Sequence, residues 1–333
     1  MKIAVTGAAG YLGLNVVHAL LAEGHDVVAV DRAPGSLPEG SHGSGTLHWT
    51  TADVLDEDSM SKALDGVEVV HHLVAVITLR QHDALAERVN THGVGVVARA
   101  AHRVGVRRMV NCGSLASFHY TRHGSVDEDS PRAVDPRLPV YHRSKYAGEV
   151  ELLKVVDAGL DALTCNPTGI FGPLDHALRL SRVNDLILQA ARGQLPASVP
   201  GEFDMVDVRD VAEGFLLAAE KGRTAHNYLL GGHRYDFFDA QVLAARTAGA
   251  RPPRVRIPLR LLERVAPFVD PVARRLGSDS FAPSALENMS MAPHVDHTKA
   301  ATELGYRPRP SEETVRDLVD FFRRNGLLRP RRD

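Results

Sequence analysis

The chain has 333 residues, 44% of them hydrophobic and 24% charged, with a formal net charge of −2. This is ordinary globular composition, long enough for one large domain or two intimate ones. There is no basic excess of the kind that binds nucleic acid and no basic amphipathic segment suited to a membrane surface.

The start, MKIAVTGAAG, enters a strand at once with no long apolar signal core. No later run is long enough to span a bilayer without charge, so a cytoplasmic protein is expected. Strand patterns at 2–7, 26–32, 47–53, 67–76, 107–114 and 161–167 alternate with helical patterns at 11–24, 59–66, 84–105 and 140–159. Such alternation predicts an α/β fold, a doubly wound parallel sheet of the Rossmann type covered on both faces. The strands are rich in Val, Ile and Ala, as doubly buried strands require. Cys112 and Cys165 fall in two of these runs and read as reduced core residues, not a disulfide.

After Pro167 the rhythm changes. Proline and glycine become frequent and helices dominate. A strand-like run at 203–208 and a helix at 209–222 return briefly, followed by the segment HNYLLGG at 226–232. Then come a helix near 239–249, a short run at 255–258, a segment at 259–277 read as lid helices, and a capped amphipathic helix that Ser311 begins. The expected division is a dinucleotide-binding domain at 1–165, with 203–230 returning to it. A smaller, mainly helical substrate domain takes 166–202 and 231–333.

The run VTGAAGYLG places Gly7, Gly10 and Gly13 between the first strand and the first helix. Residues without a Cβ let backbone N–H groups approach a pyrophosphate, and the helix N-terminus adds partial positive charge. Tyr11 and Leu12 belong to the same turn. The first two glycines stand one residue further apart than in the commonest dinucleotide fingerprint. Asp31 ends the second strand, where a carboxylate accepts from ribose hydroxyls and repels a 2′-phosphate. Arg32 follows and would attract that phosphate. NAD is therefore the expected cofactor, with NADP left open. Asp53 and Val54 suit an adenine-edge contact, although Asp53 also fits a helix cap, a role that suits Asp56 better. Leu73, Val74 and Ala75 end the fourth strand, where small apolar residues would let the cofactor pass.

Tyr141 and Lys145 stand four apart in VYHRSKYAGE and so share a helix face. A phenol titrates near 10, too high for ready proton exchange at neutral pH. A nearby ammonium and an oxidised nicotinamide would lower that value. Ser114, at the end of the fifth strand, would hydrogen-bond a substrate oxygen as charge develops. The set describes a hydride-transfer site, with Tyr141 as acid/base, Ser114 as polariser, and Lys145 as tuner and ribose ligand.

At these residues the sequence resembles the extended short-chain dehydrogenase/reductases. The matching segments are TGAAGYLG, HLVA, VNTHG with Asn90, GS at 113–114, YHRSK, NPTGIFGP with Pro167 and Thr168, and VDVRDVAEG. The resemblance covers nearly the whole chain. It implies NAD(P) binding, catalytic positions at Ser114, Tyr141 and Lys145, and cofactor positions at Gly7, Gly10, Gly13 and Asp31. It makes Asn90 a residue that helps organise the site. The usual Ser-Ser pair is Gly113-Ser114 here, Val74 stands where a small residue is usual, and Cys112 replaces a common Ser or Thr.

Dehydratase members place an Asp-Glu pair after the fifth strand; GSLASFHY has no acid there. Nucleotide-sugar epimerases carry an arginine near the seventh strand to grip a diphosphate; no arginine occurs from 193 to 208. The pattern is similar to dihydroflavonol reductases, 3β-hydroxysteroid dehydrogenases and hopanoid-associated epimerase-like members. The first reading is an oxidoreductase acting between a secondary alcohol and a ketone. The second is an epimerase that never releases its cofactor, and the third a sensor that binds NAD(P) without turnover. Sensors of this kind typically lose the Tyr-x-x-x-Lys pair that this chain keeps. The 17 histidines show no metal-ligand spacing. His71 and His72 are strand neighbours on opposite faces, and His142 is expected at the surface. Apolar stripes on the helices at 85–104 and 141–158 (Leu85, Val89, Val96 and Val97 on the first) suggest a homodimer, as family members commonly form.

Overall fold

The computed structural model describes residues 1–35, 43–120, 124–198, 201–258, 260, 261, 264 and 293–328. In chain order, β1 (Lys2–Thr6) feeds α1 (Tyr11–Ala22), then β2 (Asp26–Asp31), β3 (Thr46–Thr51), α2 (Glu57–Ala63) and β4 (Val69–His72). Asp56 caps α2, accepting from the Asp58 and Ser59 N–H groups at 3.0 Å. Helix α3 (Ala84–Glu87) runs through a π-helical turn, Arg88–Gly93, into α4 (Val94–Arg103). Then come β5 (Arg108–Cys112), β6 (Ser125–Val126), α5 (Val140–Asp157) and β7 (Ala162–Pro167). The second half holds β8 (Gly169–Phe171), α6 (Arg182–Ala191), β9 (Ala197–Ser198), β10 (Glu202–Asp207), α7 (Val208–Lys221), β11 (Asn227–Leu230) and β12 (His233–Asp236). It closes with α8 (Phe237–Ala248), β13 (Val255–Arg256), β14 (His294–Val295) and α9 (Ser311–Arg324).

Seven strands form one all-parallel sheet in the order β11–β7–β5–β4–β1–β2–β3. Six come from the runs expected to build it, and the 226–232 run supplies the seventh. Alternation along each strand sends side chains to two separate cores. Ile3, Val5, Val27 and Ala29 join Leu20 and Phe215 of α1 and α7 on one face. Ala4, Val28, Val30 and Val70 join Val97 and Leu152 of α4 and α5 on the other. Between β4, β1 and β2 the strand order reverses, and the crevice of a doubly wound sheet opens there, at the carboxyl ends.

The 203–230 stretch divides between two sheets. Strand β10 pairs with β8 in parallel and with β12 antiparallel in a separate three-stranded sheet, while α7 and β11 pack on and in the large one. A third core, built from Phe171, Leu188, Met205, Ala244, Leu318 and Phe322, sits under the small sheet. Ser311 begins α9 as expected, but the helix has no side-chain cap, since Pro310 holds the cap position. Proline serves there because it has no N–H to satisfy and its fixed φ fits the entry. The expected lid at 259–277 lies, apart from 260, 261 and 264, outside the described residues.

Two surface expectations need correction. His142 is buried, because α5 is covered on more than one side. Val89, Val96 and Val97 are also buried in the chain itself, leaving Leu85, 50% exposed, as the one exposed member of the four on the proposed dimer stripe.

Candidate active site

The turn from β1 to α1 is built around two glycines that no other residue could replace. Gly7 has φ +77°, and a Cβ there would stand 3.1 Å from the Val74 nitrogen. A Cβ on Gly13 would stand 2.1 Å from the Gly7 carbonyl oxygen, so α1 starts packed against the turn itself. Gly10 takes the N-cap position with no side-chain cap and no acid in the first turn. The Gly10 N–H bonds the Gly7 carbonyl at 2.9 Å, and the first helical bond is Leu14 N–H to the Gly10 carbonyl, 2.9 Å. The N–H groups of Tyr11, Leu12 and Gly13 thus precede the helical ladder and stand ready for an anion.

Asp31 closes the other side of this turn. Its carboxylate accepts from the Ala9 N–H at 3.1 Å and the Arg32 N–H at 2.7 Å. The Arg32 side chain is exposed. Leu73, Val74 and Ala75 follow β4, with the Leu73 N–H bonded to the Thr6 carbonyl at 3.0 Å. Val54 is buried in the core, and Asp53 is exposed and accepts from the Leu55 N–H at 2.9 Å. Across the crevice, Pro167 ends β7, and the Thr168 hydroxyl donates to Asp204 at 2.6 Å.

A strap at 172–176 is tied to the glycine turn, a feature the sequence did not disclose. The Tyr11 hydroxyl donates to the Gly172 carbonyl at 2.8 Å, and Asn15 donates to the Leu174 carbonyl at 3.1 Å. His176 Nε2 lies 2.6 Å from the Ala9 carbonyl and serves as donor there. The Gly-Pro pair in NPTGIFGP was the signal of a turn, but nothing in it named the partner.

The catalytic candidates converge at the carboxyl end of β5. Lys145, buried, donates to the Cys112 carbonyl at 2.5 Å. Burial lowers its pKa. Ser114 caps a short 3₁₀ turn, its Oγ accepting from the Ala116 N–H at 3.2 Å. That bond leaves its own proton free to donate. Tyr141 is hydrogen-bonded to Ser114. Asn90 is wholly buried in the π-helical turn, where it braces the site: Oδ1 accepts from the Val76 N–H at 2.8 Å, and Nδ2 donates to the Val76 carbonyl at 2.9 Å and to Ser144 Oγ at 3.1 Å. Thr6 and His72 Nδ1, 2.7 Å apart, lie beneath, and burial drops the His72 pKa to about 3.

The phenol titrates in the direction opposite to the expectation. Burial pushes Tyr141 up to about 12, against a smaller downward pull from Ser114. No downward pull from Lys145 offsets this. Desolvation of the charged form outweighs the one favourable hydrogen bond. Among the described residues no group of His, Cys, Asp and Glu could hold a metal ion. Both cysteines are free thiols.

A family model described as "NAD dependent epimerase/dehydratase family" matches residues 3–231. The chain belongs to the NAD-dependent epimerase/dehydratase family. It is an oxidoreductase of the extended short-chain type, and the cofactor of the family is NAD. The chain is 32% identical to sterol demethylase protein B of Methylococcus capsulatus, over 98% of this chain and all of that protein. It is 26% identical to a 3β-hydroxysteroid dehydrogenase/Δ5→4-isomerase of Mycobacterium tuberculosis, over 96% of this chain and 90% of the relative. It is also 27% identical to a UDP-glucose 4-epimerase of Mycolicibacterium smegmatis, over 97% of this chain and 99% of the relative. Among the described residues no helix is long and apolar enough to cross a membrane.

Proposed function

We propose that the protein interconverts a secondary alcohol and a ketone on a small molecule without a diphosphate, using NAD. The observation that carries this reading is the meeting of Ser114, Tyr141 and Lys145 at the end of β5, beside a glycine turn open to an anion. The turn's free N–H groups and the cradle that a Cβ would fill fit the cofactor's pyrophosphate. Gly7, Gly10, Tyr11, Leu12 and Gly13 would hold it there, with Asp31 taking the ribose hydroxyls and disfavouring NADP. NAD, when bound, supplies the site's hydride donor or acceptor.

The chain's own groups then manage one oxygen and one proton. Ser114 donates a hydrogen bond to the substrate oxygen, and Tyr141 Oη gives its proton to that oxygen as it becomes an alcohol. A phenol held near 12 stays protonated through neutral pH, so the resting enzyme is set as an acid for ketone reduction. Alcohol oxidation needs the reverse transfer and should speed up as pH rises. The absence of acids in 115–120 speaks against dehydration. The arginines flanking the 193–208 stretch are engaged: Arg192 on the Leu327 carbonyl, Arg209 on Asp207 and Asp317. That leaves neither in place for a diphosphate.

The strap at 172–176 favours a second reading, an epimerase whose cofactor is held through many cycles. Three of its five residues, Gly172, Leu174 and His176, bond the glycine turn or the helix that follows it, and Asn184 anchors the strap through Gly172 and Asp175. Native mass spectrometry before and after desalting separates the readings. A freely exchanging site with NADH-dependent ketone reduction supports the first; NAD that survives desalting, with no net turnover, supports the second. We further infer a cytoplasmic homodimer through the helices at 85–104 and 141–158, with Leu85 of α3 as the exposed apolar residue there, and the same spectra give its mass.

A further inference from the structure

We infer that a largely buried relay, Arg132–Glu149–Asn227–Asn166, fixes the position of Ser114, with Asn166 as its positioning residue. The inference deepens the proposed hydride-transfer reading and rests on it for its kinetic arm only. Asn166, fully buried in β7, accepts from the Ser114 backbone N–H through Oδ1 at 3.0 Å. Its Nδ2 donates to Asn227 Oδ1 at 2.7 Å. Asn227 Nδ2 donates in turn to Glu149 Oε1 at 2.6 Å. Arg132 donates to the same oxygen at 2.9 Å, with its guanidinium 4.1 Å from the centre of the Phe118 ring.

The charge at the far end decides the direction of every bond. A carboxylate only accepts, so Asn227 must offer Glu149 its NH₂. Its carbonyl therefore faces Asn166, which must offer its own NH₂ there. The Asn166 carbonyl is left for Ser114. An amide flip anywhere would set two acceptors or two donors face to face in a buried site, which is costly. The relay thus hands the orientation of an ion pair to the peptide that carries the serine. Lys145 on the Cys112 carbonyl and the Gly113 N–H on the Cys165 carbonyl, 2.7 Å, hold the preceding peptides. The segment 112–114 is held at three successive points, one from α5 and two from β7.

The relay also explains a departure in the sequence. Where the resembling family has Ser-Ser, this chain has Gly113-Ser114. A Cβ on residue 113 would stand 2.0 Å from Asn166 Oδ1. Glycine at 113 leaves the room that the Asn166 amide occupies here.

The test uses hydrogen exchange of the peptide spanning 113–118, read by mass spectrometry on the full chain, beside turnover of NADH with a ketone panel. Asn166→Asp keeps an oxygen for Ser114 but sets a second oxygen against Asn227. Exchange at 113–118 should rise and turnover fall roughly tenfold to hundredfold, with NAD affinity unchanged. Both should return toward wild type as pH falls, because the protonated carboxyl again donates to Asn227, and burial raises the pH at which that happens. A residue that only supports the fold would show no such rescue. Glu149→Gln, which does not touch Ser114, should raise exchange at 113–118 as well, since a neutral amide no longer imposes one direction. Asn166→Leu tests the same bond, and its failure to fold would leave the other two variants to decide. Unchanged exchange at every pH in both Asn166→Asp and Glu149→Gln overturns the relay. Wild-type protein that reduces no ketone, with exchange behaving as expected, overturns the hydride-transfer reading and leaves the relay standing.

Discussion

The two halves of the chain bury charge for different ends. Among the described residues up to 165, histidines aside, the buried charged side chains are Lys145 and Glu149. One belongs to the candidate active site and the other to the relay behind it. After 165 they are Asp175, Asp207 and Asp210. Asp207 binds Arg209 at 2.6 Å and the Thr314 hydroxyl at 2.8 Å, and Asp210 binds Arg309 at 2.7 Å. These acids join α7 and β10 to the C-terminal helix. In the sheet half, apolar strands supply the stability and buried charge marks chemistry. In the C-terminal half, most strands outside the large sheet run only two to four residues and carry less, and buried carboxylates fasten elements together.

That contrast is sharpest in its predicted effects. Tyr141→Phe should lower turnover about hundredfold or more while NAD affinity, measured by calorimetry, stays unchanged. Retained turnover would remove Tyr141 as the proton donor. Asp207→Ala should destabilise the fold by about 2–4 kcal/mol in denaturant titration, because the buried Thr314 hydroxyl loses its acceptor, α7 loses its cap and Arg209 keeps only Asp317. A loss under about 1 kcal/mol would put it among surface pairs and break the comparison. Gly13→Ala should cost about 1–3 kcal/mol and abolish nucleotide binding, since the new methyl meets the Gly7 carbonyl.

Acid should act on the sheet half through its histidines. Burial drops both His71 and His72 to about 3. Their folded pKa values lie below the unfolded value of about 6.5, so the unfolded chain binds more protons between the two. Their contribution is therefore whole above pH ~6.5 and lost as pH falls toward ~3. Melting temperature should fall across that window, with uptake of about two protons on unfolding. His71→Leu should flatten the slope; an unchanged slope would assign the effect to carboxylates. The smallest effect is Asp31→Ala, which should shift the NAD to NADP preference about tenfold toward NADP. A constant ratio would free Asp31 from the ribose.

The sequence alone settled what depends on local spacing. Short β-branched apolar runs alternating with helical patterns, glycines at a strand–helix junction, and a tyrosine and lysine one helical turn apart are all readable along the chain. They were sufficient for the doubly wound sheet and for the convergence of Ser114, Tyr141 and Lys145. Asp56 as the cap of α2 was legible for the same reason.

What stayed hidden depends on residues far apart in sequence meeting in space. Burial of His142 and the rise of the Tyr141 pKa follow from what packs over α5, which the helix itself does not specify. The path of β10 into a small sheet depends on pairing with β8 and β12 rather than on its own apolar pattern. Asn166 reaches Ser114 across 52 residues, and Asn227 reaches Glu149 across 78. Such amides read as ordinary polar residues until the fold buries them, because their role is set by which partner stands within 3 Å and which way that partner must point.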